Sequence, residues 1–184
     1  MLGKPCLFLW RRTASGDHMD ATEFIRMTLR DLHSGFRSEI ETLSEAQMLA
    51  TPAEGANTIS FLLWHFVRTE DKVLHRHVGR ASIWETGSWA ARLGDKEGQG
   101  TGFTYEQVRA VAPRKDELLA YAGMVWEEVP ALISSLAPAL DEVDPERPSQ
   151  TVARTIASVV VGHGFWHLGD IRFTKGLMGM PFAR

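Results

Sequence analysis

The sequence predicts an all-α fold, an antiparallel four-helix bundle with a long loop between its second and third helices. Two observations carry that expectation. Apolar residues recur at three- and four-residue steps in four separate stretches, the spacing of one helix face. Between those stretches the chain collects proline and glycine, which stop helices and make turns.

The first helix is predicted to open at Asp20. Its carboxylate can accept from the free N–H groups of the first turn while Glu23 reaches back, a capping-box pattern. Ile25, Leu29, Leu32, Phe36, Ile40 and Leu43 mark the buried face. Residues 44–56, with Pro52 and Gly55, read as a connection. The second helix starts at Asn57 or Thr58, both good N-caps. Ile59, Leu62, Phe66, Val73 and Leu74 supply its apolar face. The stretch from Phe61 to Val67 is apolar nearly all round, which places it deep in the core with His65 in its middle.

Residues 79–103 break the helical pattern with glycines and two tryptophans, Trp84 and Trp89. A long loop with large aromatics is packed over something or is functional. The third helix opens at Thr104, where Gln107 completes a capping box. Val111, Leu118, Ala122, Val125, Val129, Ile133 and Leu136 continue its face, with Pro113 and Pro130 expected to kink or interrupt it. Pro138, Pro145 and Pro148 mark the next connection. The fourth helix runs from Thr151 to Lys175, with Gly176 as its stop. Ile156, Val160, His163, His167, Asp170 and Thr174 fall on one face. The β-branched run Val159–Val161 also permits a strand, but recurrence over six positions favours helix.

Composition narrows the function. Net charge is −3 with both signs scattered, and a nucleic-acid surface would show a basic stripe. The single cysteine, Cys6, forbids an intrachain disulfide and makes a reducing, cytoplasmic setting the expectation. No stretch approaches the roughly 20 apolar residues of a membrane span. The apolar run near the N-terminus is shorter than a signal-peptide core. Residues 1–18 therefore read as a poorly ordered extension, and 19–184 as a single domain. Cys6 lies in the extension and is not expected to be a nucleophile.

The chemistry concentrates in histidines. His163 and His167 lie four apart, on one helix face and about 6 Å apart along its axis. Two imidazoles at that spacing can converge on one ion, and a third ligand must come from another helix. His65 is the other histidine in a strongly apolar context. Three histidines leave a coordination position for water or substrate. The segment "HGFWH" lacks the glutamate that serves zinc proteases as general base. The plainer alternative is three core histidines bonded to carbonyls.

Asp170 shares the face of His163 and His167 and can orient a ligand imidazole or activate water. Otherwise it pairs with Arg172 or Lys175. Glu70 and Asp71 turn away from His65 and are expected in salt bridges. His75 and His77 suit a solvated face, and His18 and His33 have no supporting pattern. Trp64, Phe165 and Trp166 read as bundle core, while Trp84 and Trp89 either roof the site or simply pack. Gly162 and Gly164 each cost a helix about 1 kcal/mol relative to alanine, a cost that close backbone approach would offset.

"NTISFLLWHFVRTED" and "HGFWHLGDIRFTKGLMG" resemble the two signature segments of the DinB/YfiT-like family of four-helix metalloproteins. That family places one histidine on the second helix and an H-x-x-x-H pair on the last. His65, His163 and His167 match position by position, and the likeness extends from Met19 over nearly the whole chain. The resemblance implies one divalent metal, zinc or nickel first, then iron, manganese or copper. It also implies a small-molecule substrate and a homodimer; that neither nucleic acid nor membrane is a partner is expected from the charge and hydropathy above. Characterised relatives include S-transferases and isomerases that use a low-molecular-weight thiol. A metal-activated hydrolase and a non-enzymatic metal-binding module are the alternatives.

Overall fold

Asp20 does cap the first helix, accepting from the Glu23 N–H at 2.7 Å, but the Glu23 carboxylate pairs with Arg26 instead of reaching back. The computed structural model describes residues 20–94 and 98–182. The extension expected at 1–18, with Cys6 and His18, lies outside them. The chain forms α1 (Ala21–Ile40), α2 (Glu45–Leu49), α3 (Ile59–His77), α4 (Ile83–Thr86), α5 (Trp89–Leu93), α6 (Tyr105–Arg109) and α7 (Lys115–Leu136). A 3₁₀ turn at Ala137–Ala139 leads into an antiparallel hairpin of β1 (Val143–Asp144) and β2 (Arg147–Thr151). The last helix has three parts: α8 (Val152–Thr155), a π-helical stretch Ile156–Gly162 and α9 (His163–Leu177).

Two stretches expected as loop contain short helices, each with a serine-led capping box: Ser44 with Gln47 and Ser82 with Glu85. Pro113 separates α6 from α7, whereas Pro130 sits inside α7 without ending it. The proline-marked connection after α7 holds the hairpin. Among the described residues the fold is thus mostly helical with one small sheet.

The apolar faces meet in one cluster. Leu29, Leu32, Phe36 and Ile40 of α1 join Ile59, Leu62 and Phe66 of α3, Leu118, Val125 and Ile133 of α7, and Ile156, Val160 and Ile171 of the last helix. Contacts fix the helix directions. His33 meets Glu70 and Phe36 meets Phe66, so α1 and α3 run antiparallel. Asp71 meets Tyr121 and His75 meets Glu128, so α3 and α7 run parallel. Gly35 faces Leu168 and Glu39 meets Arg172 and Lys175, so α1 and α9 are parallel as well. The uniform alternation expected from the sequence is corrected here. Parallel neighbours need a connection that returns the length of a helix, about 28 Å for the 19 residues of α3. That requirement accounts for the long crossover between α3 and α7.

Asp71 pins the crossover. Its buried carboxylate accepts from the N–H groups of Ile83 and Trp84 at 3.0 and 2.9 Å, and from the Tyr121 hydroxyl at 2.7 Å. Burial first, then the Asp71 charge, holds the Tyr121 phenol protonated and above its ordinary range. Trp84 packs on Trp64, on Tyr121 and, at 3.7 Å, on the Arg68 guanidinium.

The last helix departs from regular spacing. The sequence predicts a core stripe through Ile156, Val160, His163, His167, Asp170 and Thr174. Ile156, Val160 and Thr174 are buried as predicted, but between them the most buried stripe runs through Gly164, Leu168 and Ile171, and it ends on Lys175 beside Thr174. Wide π turns take up the extra residue. His163 and His167 are thereby displaced from the centre of the core to its half-buried edge beside α3. Among the described residues, no helix is long and apolar enough to cross a membrane.

Candidate metal centre

α3 is buried on nearly every side, because α2, α4, α7, α9 and the π stretch all pack on it. His65 is therefore carried into the protein, while the π register brings His163 and His167 to face it. The His163 and His65 Nε2 atoms lie 3.1 Å apart, and those of His163 and His167 2.8 Å apart. Nitrogens about 2.0–2.1 Å from one tetrahedral ion would lie about 3.3 Å from each other. The donor set fits a divalent metal in chemistry and approximate spacing. Among the described residues, these three form the group able to hold an ion.

The outward nitrogens set the tautomers. His65 Nδ1–H donates to the Gln99 carbonyl, and His167 Nδ1–H donates to Asp170 Oδ2 at 3.2 Å. Both rings then carry the proton outward and leave the Nε2 lone pair facing inward, the ligating form. Asp170 thus stands where the sequence reading put it, beside a candidate ligand. Its alternative partners are taken elsewhere: Arg172 and Lys175 both bind Glu39. His163 Nδ1 is buried without a partner among the described residues.

Close approach depends on two glycines. A Cβ at Gly164 would lie 2.4 Å from Leu32 and 2.6 Å from Phe66, so a side chain there would push α9 away from α1 and α3. Gly100 adopts φ +101, and its Cβ would meet Phe61 at 3.0 Å and His65 Nδ1 at 3.1 Å. Only glycine accepts both that conformation and that space comfortably. Neighbouring Gly98 offers its carbonyl to the buried Arg68 at 3.2 Å, which ties the same loop to α3.

Burial pushes the His163 imidazole down to about 4, with the neighbouring His167 and His65 adding to the effect. It lowers His65 too, partly offset by Gln99, and His167, partly offset by Asp170. Protons and metal compete for the same lone pairs. A lowered ring pKa confines that competition to more acidic solution. The sequence places the onset at the ordinary imidazole value of about 6.5; the buried geometry moves it lower. Metal affinity is expected to hold from neutrality to about pH 6 and to fall as the pH drops towards 4. Chelator-competition titrations across that range check this, and release complete by about pH 6 would contradict it.

Several residues stand elsewhere than the sequence suggests. His75 is 1% exposed and bonds Glu128 on α7, so it does not lie on a solvated face. His77 is half-buried beside Asp144 of the hairpin. Glu70 and Asp71 do take the ionic partners expected of them, His33 and His75, but both carboxylates are fully buried, and Asp71 is also the hydrogen-bond hub of the crossover. Trp64 is core, but Trp166 is 72% and Phe165 46% exposed, because the π register turns them outward. Trp84 and Trp89 pack on Tyr121; the crossover reaches the histidines through Gln99 and Gly100 instead. The glycine-rich "GQGTG" was the available signal for that contact.

No curated protein matches the chain. A solved structure described as a conserved protein of locus from Enterococcus faecalis shares 20% identity, with a TM-score of 0.74. The match covers 88% of this chain and 99% of that one, and at this identity it speaks for the fold alone. The DinB superfamily profile matches residues 28–171, which take in all three histidines, the whole of α3 and the first part of α9. The chain belongs to the DinB superfamily.

Proposed function

We propose that the protein is a divalent-metal-dependent enzyme whose four-helix bundle, within a single domain of residues 19–184, holds one ion through His65, His163 and His167. The observation that carries this is the inward convergence of three Nε2 atoms, with two of the rings fixed outward by Gln99 and Asp170. Zinc or nickel suits three imidazoles best, ahead of iron, manganese and copper. A divalent ion bound there would supply activation of a small thiol or of water at neutral pH. The protein's own part is to hold three neutral imidazoles in position. Asp170 keeps His167 in the ligating tautomer, and the Gln99 carbonyl does the same for His65.

The family resemblance favours the thiol: an S-transferase or isomerase acting on a small-molecule substrate, in the cytoplasm and as a homodimer. Exposed Trp166, Phe173 and Leu177 on α9 give an apolar face that suits such pairing.

The test is conjugation of a chlorinated nitrobenzene or monochlorobimane by metal-loaded protein, with mycothiol, bacillithiol and glutathione in parallel. Acceleration is expected with at least one thiol, abolished in His163→Ala and reduced in Asp170→Asn. No acceleration with any thiol, together with ester or amide hydrolysis, would replace this reading with a hydrolase. Inactivity in both assays with metal retained would favour a binding module.

A further inference from the structure

A cavity lies away from the histidine centre. α1 and α7 leave between them a cleft of about 890 Å³, within the range of small-molecule sites. Arg30, His33 and Arg37 of α1 line it, opposite Gly123, Met124 and Trp126 of α7. Phe66 stands between this cleft and the metal centre, its ring 6.4 Å from those of both His33 and His163.

Three features make the cleft more than a gap between helices. His33 is held rigidly: its Nε2 meets the buried Glu70 carboxylate at 2.9 and 3.1 Å, and its ring stacks on Trp126 at 4.7 Å. With Nε2–H given to Glu70, Nδ1 is the ring's acceptor, and it has no partner among the described residues. Arg37 lies over Trp126 at 5.0 Å and has no ion-pair partner among the described residues. Arg26, about 16 Å along α1 from Arg37, is already neutralised by Glu23. The floor at Gly123 is open, since a Cβ there would meet only the end of Arg37, at 3.9 Å.

We propose that this cleft binds a small organic carboxylate with an apolar body and a hydroxyl group. Arg37 takes the carboxylate, the apolar body lies along Gly123 and Met124, and the hydroxyl donates to His33 Nδ1. Arg26, Arg30 and Arg37 line the cleft against two carboxylates, Glu23, which Arg26 holds, and Glu127; this excess of cations, with Arg37 unpaired among the described residues, selects an anion over a neutral ligand. The fixed ring selects a hydrogen-bond donor at the other end. The proposal stands independently of the metal centre.

The test is calorimetric titration of the full-length, metal-loaded protein with 4-hydroxyphenylacetate as probe, and with its neutral amide as control. Saturable one-site binding of the acid is expected, at least tenfold tighter than the amide. Arg37→Gln and Gly123→Leu should each weaken it at least tenfold; the first removes an exposed charge, the second fills the open floor. His163→Ala should leave it unchanged, which separates this site from the metal centre. No saturable binding, equal binding of acid and amide, or binding unchanged in both cleft variants would overturn the proposal. Loss of binding in His163→Ala with retention in the cleft variants would do so too, by placing the probe at the metal.

Discussion

His163→Ala is expected to lower divalent-metal affinity by more than about 100-fold, beyond the 10–100-fold that loss of a supporting hydrogen bond costs a metal site. His65→Ala and His167→Ala should match it, because the ligating nitrogens of all three lie within 4.8 Å of one another. Asp170→Asn should be milder, about tenfold, since it disturbs the tautomer of His167 without removing a donor. His75→Ala is the informative control. Its ring is buried against Asp71 and Glu128, so the variant should lose stability yet keep its metal. Elemental analysis and chelator competition on tag-free protein measure both. Equal metal content in wild type and the His167 variant would remove the site.

The largest effect on folding is expected at Asp71. Asp71→Ala strips the acceptor from two backbone N–H groups and the Tyr121 hydroxyl, all buried. Each orphaned donor costs about 1–3 kcal/mol, so with three of them the variant should lose at least about 3 kcal/mol. Asp71→Asn retains one carbonyl oxygen and should lose about half as much. The crossover should loosen first, because α4 hangs from this carboxylate. Urea denaturation reads the stability; a loss under about 1 kcal/mol would show that water replaces Asp71 without penalty.

Much of this was legible in the sequence, for reasons that particular residues show. The N-caps at Asp20, Thr58 and Thr104 use local bonds, which local sequence specifies. The apolar stripe of α1 keeps regular helical spacing, and every residue predicted for it is buried. The three histidines could be brought together on paper because two share a helix and the third sits in the most apolar segment. What escaped depends on tertiary context. The π stretch leaves no clear residue signature beyond a β-branched run and glycines, yet it moves the core stripe by one position and turns Trp166 outward. Parallel packing of α3 and α7 is set by the crossover, not by either helix. Buried polar pairs such as His33 with Glu70 join residues 37 apart, beyond any local pattern.

The claim on which the functional reading rests is that one ion sits among His65, His163 and His167. Anomalous diffraction from crystals of metal-loaded protein, collected on either side of the metal's absorption edge, tests it most directly. The expected result is one strong peak per chain, about 2.0–2.1 Å from the three Nε2 atoms. Metal-loaded crystals with no peak there, or with a peak only at other residues, would contradict it.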